Sequence, residues 1–188
     1  MKLGSIDKKL SARERILRTA HNLFYRDGIR ATGIDRIIEE AGVTKVTLYR
    51  HFPSKNDLIK VYLEYRHELW MNWFVDALER HSINNSSIID ILVATLGEWF
   101  ESDGYRGCAF INAVVEMDGV LPEFTEISKR HKEDVIEVIT DLLPKSKVRS
   151  QQAQAVAIAM DGAIFRAQLE KSPDHALESI KLILQAII

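Results

Sequence analysis

Residues 32–58 read TGIDRIIEEAGVTKVTLYRHFPSKNDL and contain two short helical patterns that meet at Gly42, followed by the capped start of a longer helix. A glycine at such a junction adopts the left-handed conformation that lets the chain turn within a few residues. Thr44 is placed to cap the second helix, which runs from Lys45 to Phe52, and Pro53 ends it. The pattern predicts a helix-turn-helix.

An earlier helix completes a small N-terminal domain. It begins at Ser11, with Glu14 as the reciprocal partner in a capping box, and it ends at Gly28. Apolar residues recur at helical spacing in all three helices, so we expect one shared core. These inward residues are Ile16, Leu17, Ala20, Leu23 and Phe24, then Ile34, Ile37, Ile38 and Ala41, then Leu48 and Phe52.

The rest of the chain is also helical in pattern. Ser54 and Asp57 form a further capping box and open a long helix to about Arg80, on the order of 40 Å at 1.5 Å per residue. No alternating strand pattern of useful length occurs. The sequence therefore predicts an all-α fold of about nine helices, with an N-terminal domain at 10–55 and a C-terminal helical domain at 56–188. The later helices are expected at 87–101, 109–117, 122–143, 150–171 and 173–188.

Charge and cysteine content narrow the class of protein. The net charge is -2, but residues 1–60 hold 13 Lys and Arg against 7 Asp and Glu. This excess of positive charge indicates either that the N-terminal part binds nucleic acid or that surface charge varies by chance along the chain. The single cysteine, Cys108, excludes an intrachain disulfide and cysteine-based zinc sites, and it is either a redox sensor or a packed thiol. With no signal peptide or long apolar run, we expect a cytoplasmic location, no membrane association and no cofactor or metal.

The second helix of the pair has the composition of a recognition helix. Lys45 could donate to guanine, Val46 and the Thr47 methyl could meet thymine methyls, and tyrosine and histidine further on could reach phosphates. At the start of the long helix, the Lys55 ammonium would bind phosphate together with the free backbone donors of that helix end. Thr32 and Gly33, at the start of the second helix, would make the matching contact through a hydroxyl and a backbone amide. The candidate DNA contacts are Thr32, Gly33, Thr44, Lys45, Val46, Thr47, Tyr49, His51 and Lys55, with Lys8, Lys9 and Arg13 adding diffuse attraction.

The run Gly42–Lys55 closely resembles the signature of the tetracycline-repressor (TetR) family of bacterial transcription regulators, and the likeness extends over residues 12–60. A weaker likeness occurs around Gly107–Ala113. The resemblance implies an all-helical homodimer whose N-terminal domains bind DNA and whose C-terminal domains bind a small effector that releases the DNA. It also implies phosphate contacts for the tyrosine and histidine of the third helix. Ile38 departs from the family, which usually has a small residue there.

The same resemblance implies an effector pocket and a dimer interface in the C-terminal domain. The implied ligand-binding residues are Trp70, Trp73, Phe74, Trp99, Phe110, Asn112 and Glu116, although aromatic residues at helical spacing also suit a plain core. The last two helices would form the dimer interface as a four-helix bundle, unless their alanine row packs inside one subunit. The implied interface residues are Ala155, Ala159, Ala163, Ala167, Ile180, Ile183, Leu184 and Ile187.

The favoured function is a ligand-responsive transcriptional regulator, most simply a repressor that binds a palindromic operator as a dimer and is released by an effector. An enzyme is not expected. Two alternatives stay open: a helical adaptor that has lost DNA binding, and a helical metalloenzyme. The second rests on the pair Glu64 and His67, spaced as Glu-x-x-His, but di-iron proteins of that kind need a second copy, which the sequence lacks.

Overall fold

The computed structural model describes residues 10–85, 87–117, 122–170 and 172–188, and within them it contains nine α-helices and no strand. The all-α prediction is confirmed, and the predicted helices match those of the structure to within a few residues. The helices are α1 Ala12–Asp27, α2 Ile34–Ala41, α3 Lys45–His51, α4 Lys55–Asn84, α5 Ile88–Phe100, α6 Ala109–Met117, α7 Pro122–Leu142, α8 Arg149–Glu170 and α9 Asp174–Ile187.

The chain packs as two compact units. The N-terminal unit contains the chain up to Glu68 together with Ala109–Ser128, and the C-terminal unit contains Leu69–Cys108 and Lys129–Ile188. Helix α4 therefore contributes its first part to one unit and its second part to the other. Helix α6, which the sequence assigned to a C-terminal domain at 56–188, packs with the N-terminal helices instead. As a functional division, the boundary between 10–55 and 56–188 remains a prediction.

Helices α1, α2 and α3 pack against one another around a small core, and local signals fix their ends. The Ser11 hydroxyl accepts from the Glu14 amide at 3.3 Å, while the Glu14 carboxylate accepts from the Ser11 amide at 3.0 Å, which confirms the capping box. Gly28, with φ +95°, ends α1 as predicted. Such a cap contributes about 1 kcal/mol to stability.

The turn between α2 and α3 is a Schellman motif. Gly42 has φ +62°, its amide donates to the Glu39 carbonyl at 3.1 Å, and the Val43 amide donates to the Ile38 carbonyl at 3.2 Å. The Arg15 guanidinium from α1 donates to the Ala41 carbonyl at 3.1 Å and so holds the turn against the first helix. A side chain at Gly42 would be strained by this positive φ, so the glycine sets the direction of α3.

In the C-terminal unit, α5, α8 and α9 pack together. Leu92 and Leu96 of α5 are buried, as are Val156 of α8 and Leu184 of α9. Apolar side chains at helical spacing give each of these helices one apolar face, and these faces form the core of this unit. No helix in the described part of the chain has both the length and the apolar character needed to span a bilayer.

Candidate nucleic-acid interface

Helix α3 is anchored by two buried side chains and exposes its other face. Leu48 and Phe52 have 0% and 1% of their surface exposed, whereas Val46 is 79% exposed and Tyr49 is 40% exposed. Helix α3 has only seven residues, and its exposed Val46 and Tyr49 take no part in the core of this unit. The exposed face carries the residues that the sequence assigned to DNA contact.

The first turn of α3 is ordered by its cap. The Thr44 hydroxyl accepts from the Thr47 amide at 3.1 Å, and the two threonine hydroxyls lie 2.9 Å apart in a second hydrogen bond. The hydroxyl of Thr47 therefore already has a partner within the protein. Lys45 is exposed, and its ammonium lies 3.9 Å from the Asp35 carboxylate. Such an exposed pair is weak, so Lys45 is available to a stronger acceptor.

Thr32 does not fit its predicted role as a phosphate ligand. The residue is fully buried, and its hydroxyl donates to the Gly28 carbonyl at 2.7 Å. A hydroxyl with an internal acceptor and no solvent exposure cannot reach DNA, so this prediction is corrected: Thr32 secures the segment between α1 and α2. Gly33, which precedes α2, is exposed and stays a candidate through its backbone.

The ammonium of Lys55 is also used inside the protein. It donates to the Ile29 carbonyl at 2.7 Å and lies 6.0 Å from the centre of the Phe24 ring. Burial lowers the pKa of Lys55, while the nearby Glu116 carboxylate opposes that effect. The bond to Ile29 holds the start of α4 to the loop after α1, and the phosphate contact predicted for this ammonium stays a prediction.

Glu116 of α6 joins the same loop and not a ligand pocket. Its carboxylate accepts from the Arg30 amide at 3.0 Å. A β-carbon built on Gly28 would come within 3.1 Å of a carboxylate oxygen of Glu116, so the glycine allows the close approach. The prediction that Glu116 binds an effector is corrected: it fastens α6 to the segment that precedes the helix-turn-helix.

The predicted ligand-binding residues divide between the two units. Phe110, Asn112 and Glu116 lie in the N-terminal unit, whereas the other four lie in the C-terminal unit as an aromatic cluster. Trp70 stacks on Phe74 at a centroid distance of 4.7 Å, and it meets the Trp99 ring edge to face at 5.3 Å. The indole N–H of Trp73 is not available to a ligand, since it donates to the Glu98 carboxylate at 3.0 Å. The set therefore does not form a single site within one unit.

The predicted dimer residues are only partly available to a partner. Ala163, Ala167, Ile180 and Leu184 are buried within the single chain and belong to the core of the C-terminal unit. Ala155, Ala159 and Ile187 are half-buried, and Ile183 is exposed. The prediction is corrected for the four buried residues, because α8 and α9 pack against each other through them. The large apolar side chains exposed on these helices are Ile158, Phe165, Leu169, Leu182 and Ile183.

Sequence reasoning missed the exposed apolar residues of α8, although the spacing of Ile158, Phe165 and Leu169 follows one helix face. The alanine row drew attention because small residues allow close packing, and much of that row faces inward. The structural roles of Arg15 and Glu116 were also missed, and no local pattern marks them, since their partners lie far away in sequence. Lys8 and Lys9 lie outside the described residues; Arg13 is exposed, and its guanidinium lies over the Phe52 ring.

His21 is a buried neutral histidine in the N-terminal unit. It contacts the rings of Tyr62 and Tyr65 edge to face, with centroids 5.9 and 5.4 Å away, and its Nε2 has no hydrogen-bond partner. Burial, and then the nearby Arg66 guanidinium, lower the pKa of His21 from 6.5 to about 4. The folded unit thus favours the uncharged imidazole.

We expect acid to destabilise the N-terminal unit through His21. Because the unfolded chain binds the proton more tightly, the stability linked to the neutral imidazole is complete above pH 6.5 and is lost as the pH falls towards 4. Between pH 7 and pH 5 the loss is about 2 kcal/mol. Circular dichroism melts of wild type and His21→Phe at both pH values measure it, and the pH-dependent shift in Tm should shrink in the variant.

The control for this prediction is the fluorescence of the three tryptophans, all of which lie in the C-terminal unit. The fluorescence transition should show the same pH dependence in both proteins, since His21 is not in that unit. An equal pH dependence of the circular dichroism midpoint in wild type and variant would show that folding does not lower the pKa of His21.

The geometry of α2 and α3 can be compared with known proteins. Residues 16–62 match the family described as bacterial regulatory proteins, tetR family. The solved structure of SCO4454, a TetR-family transcriptional regulator from Streptomyces coelicolor, has 30% sequence identity, covers 94% of this chain and 93% of its own, and superposes with a TM-score of 0.77. The chain belongs to the TetR family. The resemblance read from residues 42–55 is confirmed.

Other relatives of this TetR-family protein are regulators by name. An uncharacterized HTH-type transcriptional regulator in the lacX 3' region of Lactococcus lactis is 23% identical over 169 residues, which is 82% of each protein. The uncharacterized HTH-type transcriptional regulator YerO of Bacillus subtilis is 29% identical over 117 residues, 62% of this chain but only 39% of YerO. This chain therefore spans well under half of YerO.

Membership of the TetR family decides between the classes of function left open by the sequence. The family consists of bacterial regulatory proteins, and the N-terminal unit holds the helix-turn-helix that the family model describes. The protein is a DNA-binding transcriptional regulator and not an enzyme. Among the described residues, no group of three or more His, Cys, Asp or Glu could hold a metal ion.

Proposed function

We propose that this TetR-family protein is a repressor that binds a palindromic operator as a homodimer and leaves it when a small-molecule effector binds. The observation that carries the proposal is the exposed face of α3, where Val46 and Tyr49 stand in solvent on a helix anchored by Leu48 and Phe52. A face of this kind, at the start of a recognition helix, suits the major groove.

Within that proposal the residues of α3 divide by role. Lys45 would donate to guanine acceptors, and Val46 and the Thr47 methyl would contact thymine methyls. Tyr49 and His51 would bind phosphate oxygens on the bordering strand, and the Gly33 backbone would make the matching contact at the start of α2. Thr44 serves mainly as the cap that orders this turn, which makes its base contact secondary to its structural role.

The proposed dimer uses the exposed surface of α8 and α9. Phe165 and Leu182 are exposed on these helices, and other residues of α8 and α9 line a groove of about 460 Å³. Ala159, Gly162 and Ile183 are among the residues that line the groove, and small residues there leave room for a large side chain. In a two-fold dimer Phe165 of each copy would enter the groove of the other, as an isologous interface requires.

Selection of binding sites from random-sequence DNA duplexes tests the proposed function. We expect enrichment of a sequence with two inverted half-sites, spaced one helical turn of about 34 Å or a multiple of it. Affinity for the selected duplex should fall steeply with salt, because phosphate contacts release counterions. A mobility-shift titration of the selected duplex at several salt concentrations measures this.

The matched control is the double variant Lys45→Ala, Tyr49→Ala, which should enrich no sequence in the same selection. If the wild-type protein also enriches none, the proposed repression through an operator is excluded. Enrichment of a single, asymmetric half-site would retain DNA binding but contradict the homodimeric arrangement.

A further inference from the structure

A carboxylate lies beside the lysine that is proposed to read bases. Asp35 belongs to the first turn of α2, its side chain is 90% exposed, and its Oδ1 atom is 3.9 Å from the Lys45 ammonium at the start of α3. An exposed pair at this distance is weak, so both groups are available to other partners. A base edge that Lys45 contacts therefore lies within reach of Asp35.

The arginine next to Asp35 does not neutralise its charge. The Arg36 guanidinium has two acidic partners of its own, the carboxylates of Asp27 and Glu40, each at 2.9 Å. Asp35 thus presents a negative charge at the surface where α2 and α3 would meet DNA. Phosphates repel a carboxylate in this place, so Asp35 weakens binding to any DNA in which it accepts no hydrogen bond.

The chemistry of a carboxylate limits the bases that Asp35 can contact. An ionised carboxylate accepts hydrogen bonds and donates none. The donors in the major groove are the exocyclic amines of cytosine and adenine. Adenine also presents N7, an acceptor that would repel a carboxylate, whereas cytosine presents only its N4 amine. Asp35 is therefore suited to cytosine.

The spacing between the two charged groups fits a G·C base pair. Guanine O6 accepts from cytosine N4 within the pair, so these two atoms are about 2.9 Å apart. Successive bases along a strand are separated by about 3.4 Å. The 3.9 Å between Asp35 Oδ1 and Lys45 Nζ is close to both spacings. The two side chains can therefore donate to a guanine and accept from a cytosine at the same time.

We propose that Asp35 is a specificity-determining residue, whose carboxylate accepts from N4 of one cytosine in each half-site while Lys45 donates to a guanine of the same or the adjacent base pair. The bond favours the correct sequence, and the repulsion of an unpaired carboxylate disfavours the others. This inference rests on the proposed operator binding and adds the base that α2 reads.

Selection from random-sequence DNA duplexes tests this inference with wild type, Asp35→Ala and Asp35→Asn. Wild type should enrich cytosine at one fixed position of each half-site. Asp35→Ala should lose the preference at that position and keep the preferences at the others. Asp35→Asn should prefer adenine there, because a side-chain amide pairs with N6 and N7 of adenine. Retention of the cytosine preference in Asp35→Ala would overturn the inference.

The affinities of Asp35→Ala for two duplexes should change in opposite directions. Its affinity for the duplex selected by wild type should fall about tenfold, as for one mismatched base pair. Its affinity for an unrelated duplex should rise about twofold, because one repulsion of phosphate is lost. Mobility-shift titrations at one salt concentration measure both. A fall in both affinities together with a lowered Tm would show that Asp35 only stabilises the start of α2, and would contradict its role in specificity.

The matched control is Glu39→Gln, which removes one negative charge from an exposed residue of the same helix. It should select the same sequence as wild type, and an equal loss of the cytosine preference in this variant would also overturn the inference. Failure of the proposed function gives a different result. If wild type selects one asymmetric half-site, the palindromic operator fails, and Asp35 is still judged by the base that changes within that half-site. If wild type selects no sequence, both fail.

Discussion

Phe165→Asp should convert the protein from a dimer to a monomer and reduce operator affinity by about 100-fold or more. Phe165 is 60% exposed in the single chain, so its replacement leaves the folded protomer unstrained. In the proposed interface the same position would bury an unpaired carboxylate at the centre of an apolar contact, at a cost of several kcal/mol. A protomer without its partner then binds one half-site instead of two.

Sedimentation velocity at micromolar concentration measures the oligomeric state, and a mobility-shift titration measures affinity for the selected duplex. Ile83→Asp is the matched control, because Ile83 is 82% exposed near the end of α4 and belongs to neither α8 nor α9. That variant should remain a dimer with unchanged affinity. A Phe165→Asp protein that sediments as a dimer would place the interface on another surface.

Lys45→Ala should weaken operator binding about 5- to 150-fold, with the largest loss at one base pair of each half-site. Tyr49→Phe, which removes only the phenolic hydroxyl, should weaken binding about fivefold and equally across sequences, since a phosphate contact carries no sequence information. Both side chains are exposed in the folded protein, so thermal stability should stay near that of wild type.

Mobility-shift titrations against the selected duplex, and against duplexes with single base-pair changes, separate these two effects. Lys129→Ala provides the control for loss of one positive charge, because this exposed lysine lies on α7 and outside α3. Wild-type affinity in both Lys45→Ala and Tyr49→Phe would remove α3 from the interface. A lowered Tm in either variant would instead point to a role in packing.

Local signals in the sequence were enough to predict the helix-turn-helix. Ser11, Gly42 and Thr44 each act on residues within four positions, so their hydrogen bonds can be read from spacing. The burial of Leu48 and Phe52 could also be predicted, because helical periodicity is likewise a local signal. The exposed residues of α3 were then predictable as those that the core does not use.

Burial and tertiary partners decided the residues that the sequence misjudged. Lys55 and Glu116 have polar groups whose partners lie 26 and 86 residues away and are set by tertiary packing. Thr32 differs, because its hydroxyl donates to Gly28, only four residues earlier, and it is its complete burial that spacing did not show. The alanines of α8 failed similarly, because a small residue suits an intramolecular and an intermolecular contact equally well. Sequence spacing shows which face of a helix is apolar, but not which of two neighbours covers it.

The contact between Glu116 and Arg30 bears on the order in which the protein is made. The basic residues of the helix-turn-helix are synthesised first, and at about 5–20 residues per second the roughly 60 residues from Lys55 to Glu116 take a further 3–12 s. During that interval the loop after α1 lacks the carboxylate that accepts from the Arg30 amide. A nascent chain released early, or a fragment ending near residue 60, would carry every side chain proposed to touch DNA and still lack the residue that fastens this loop.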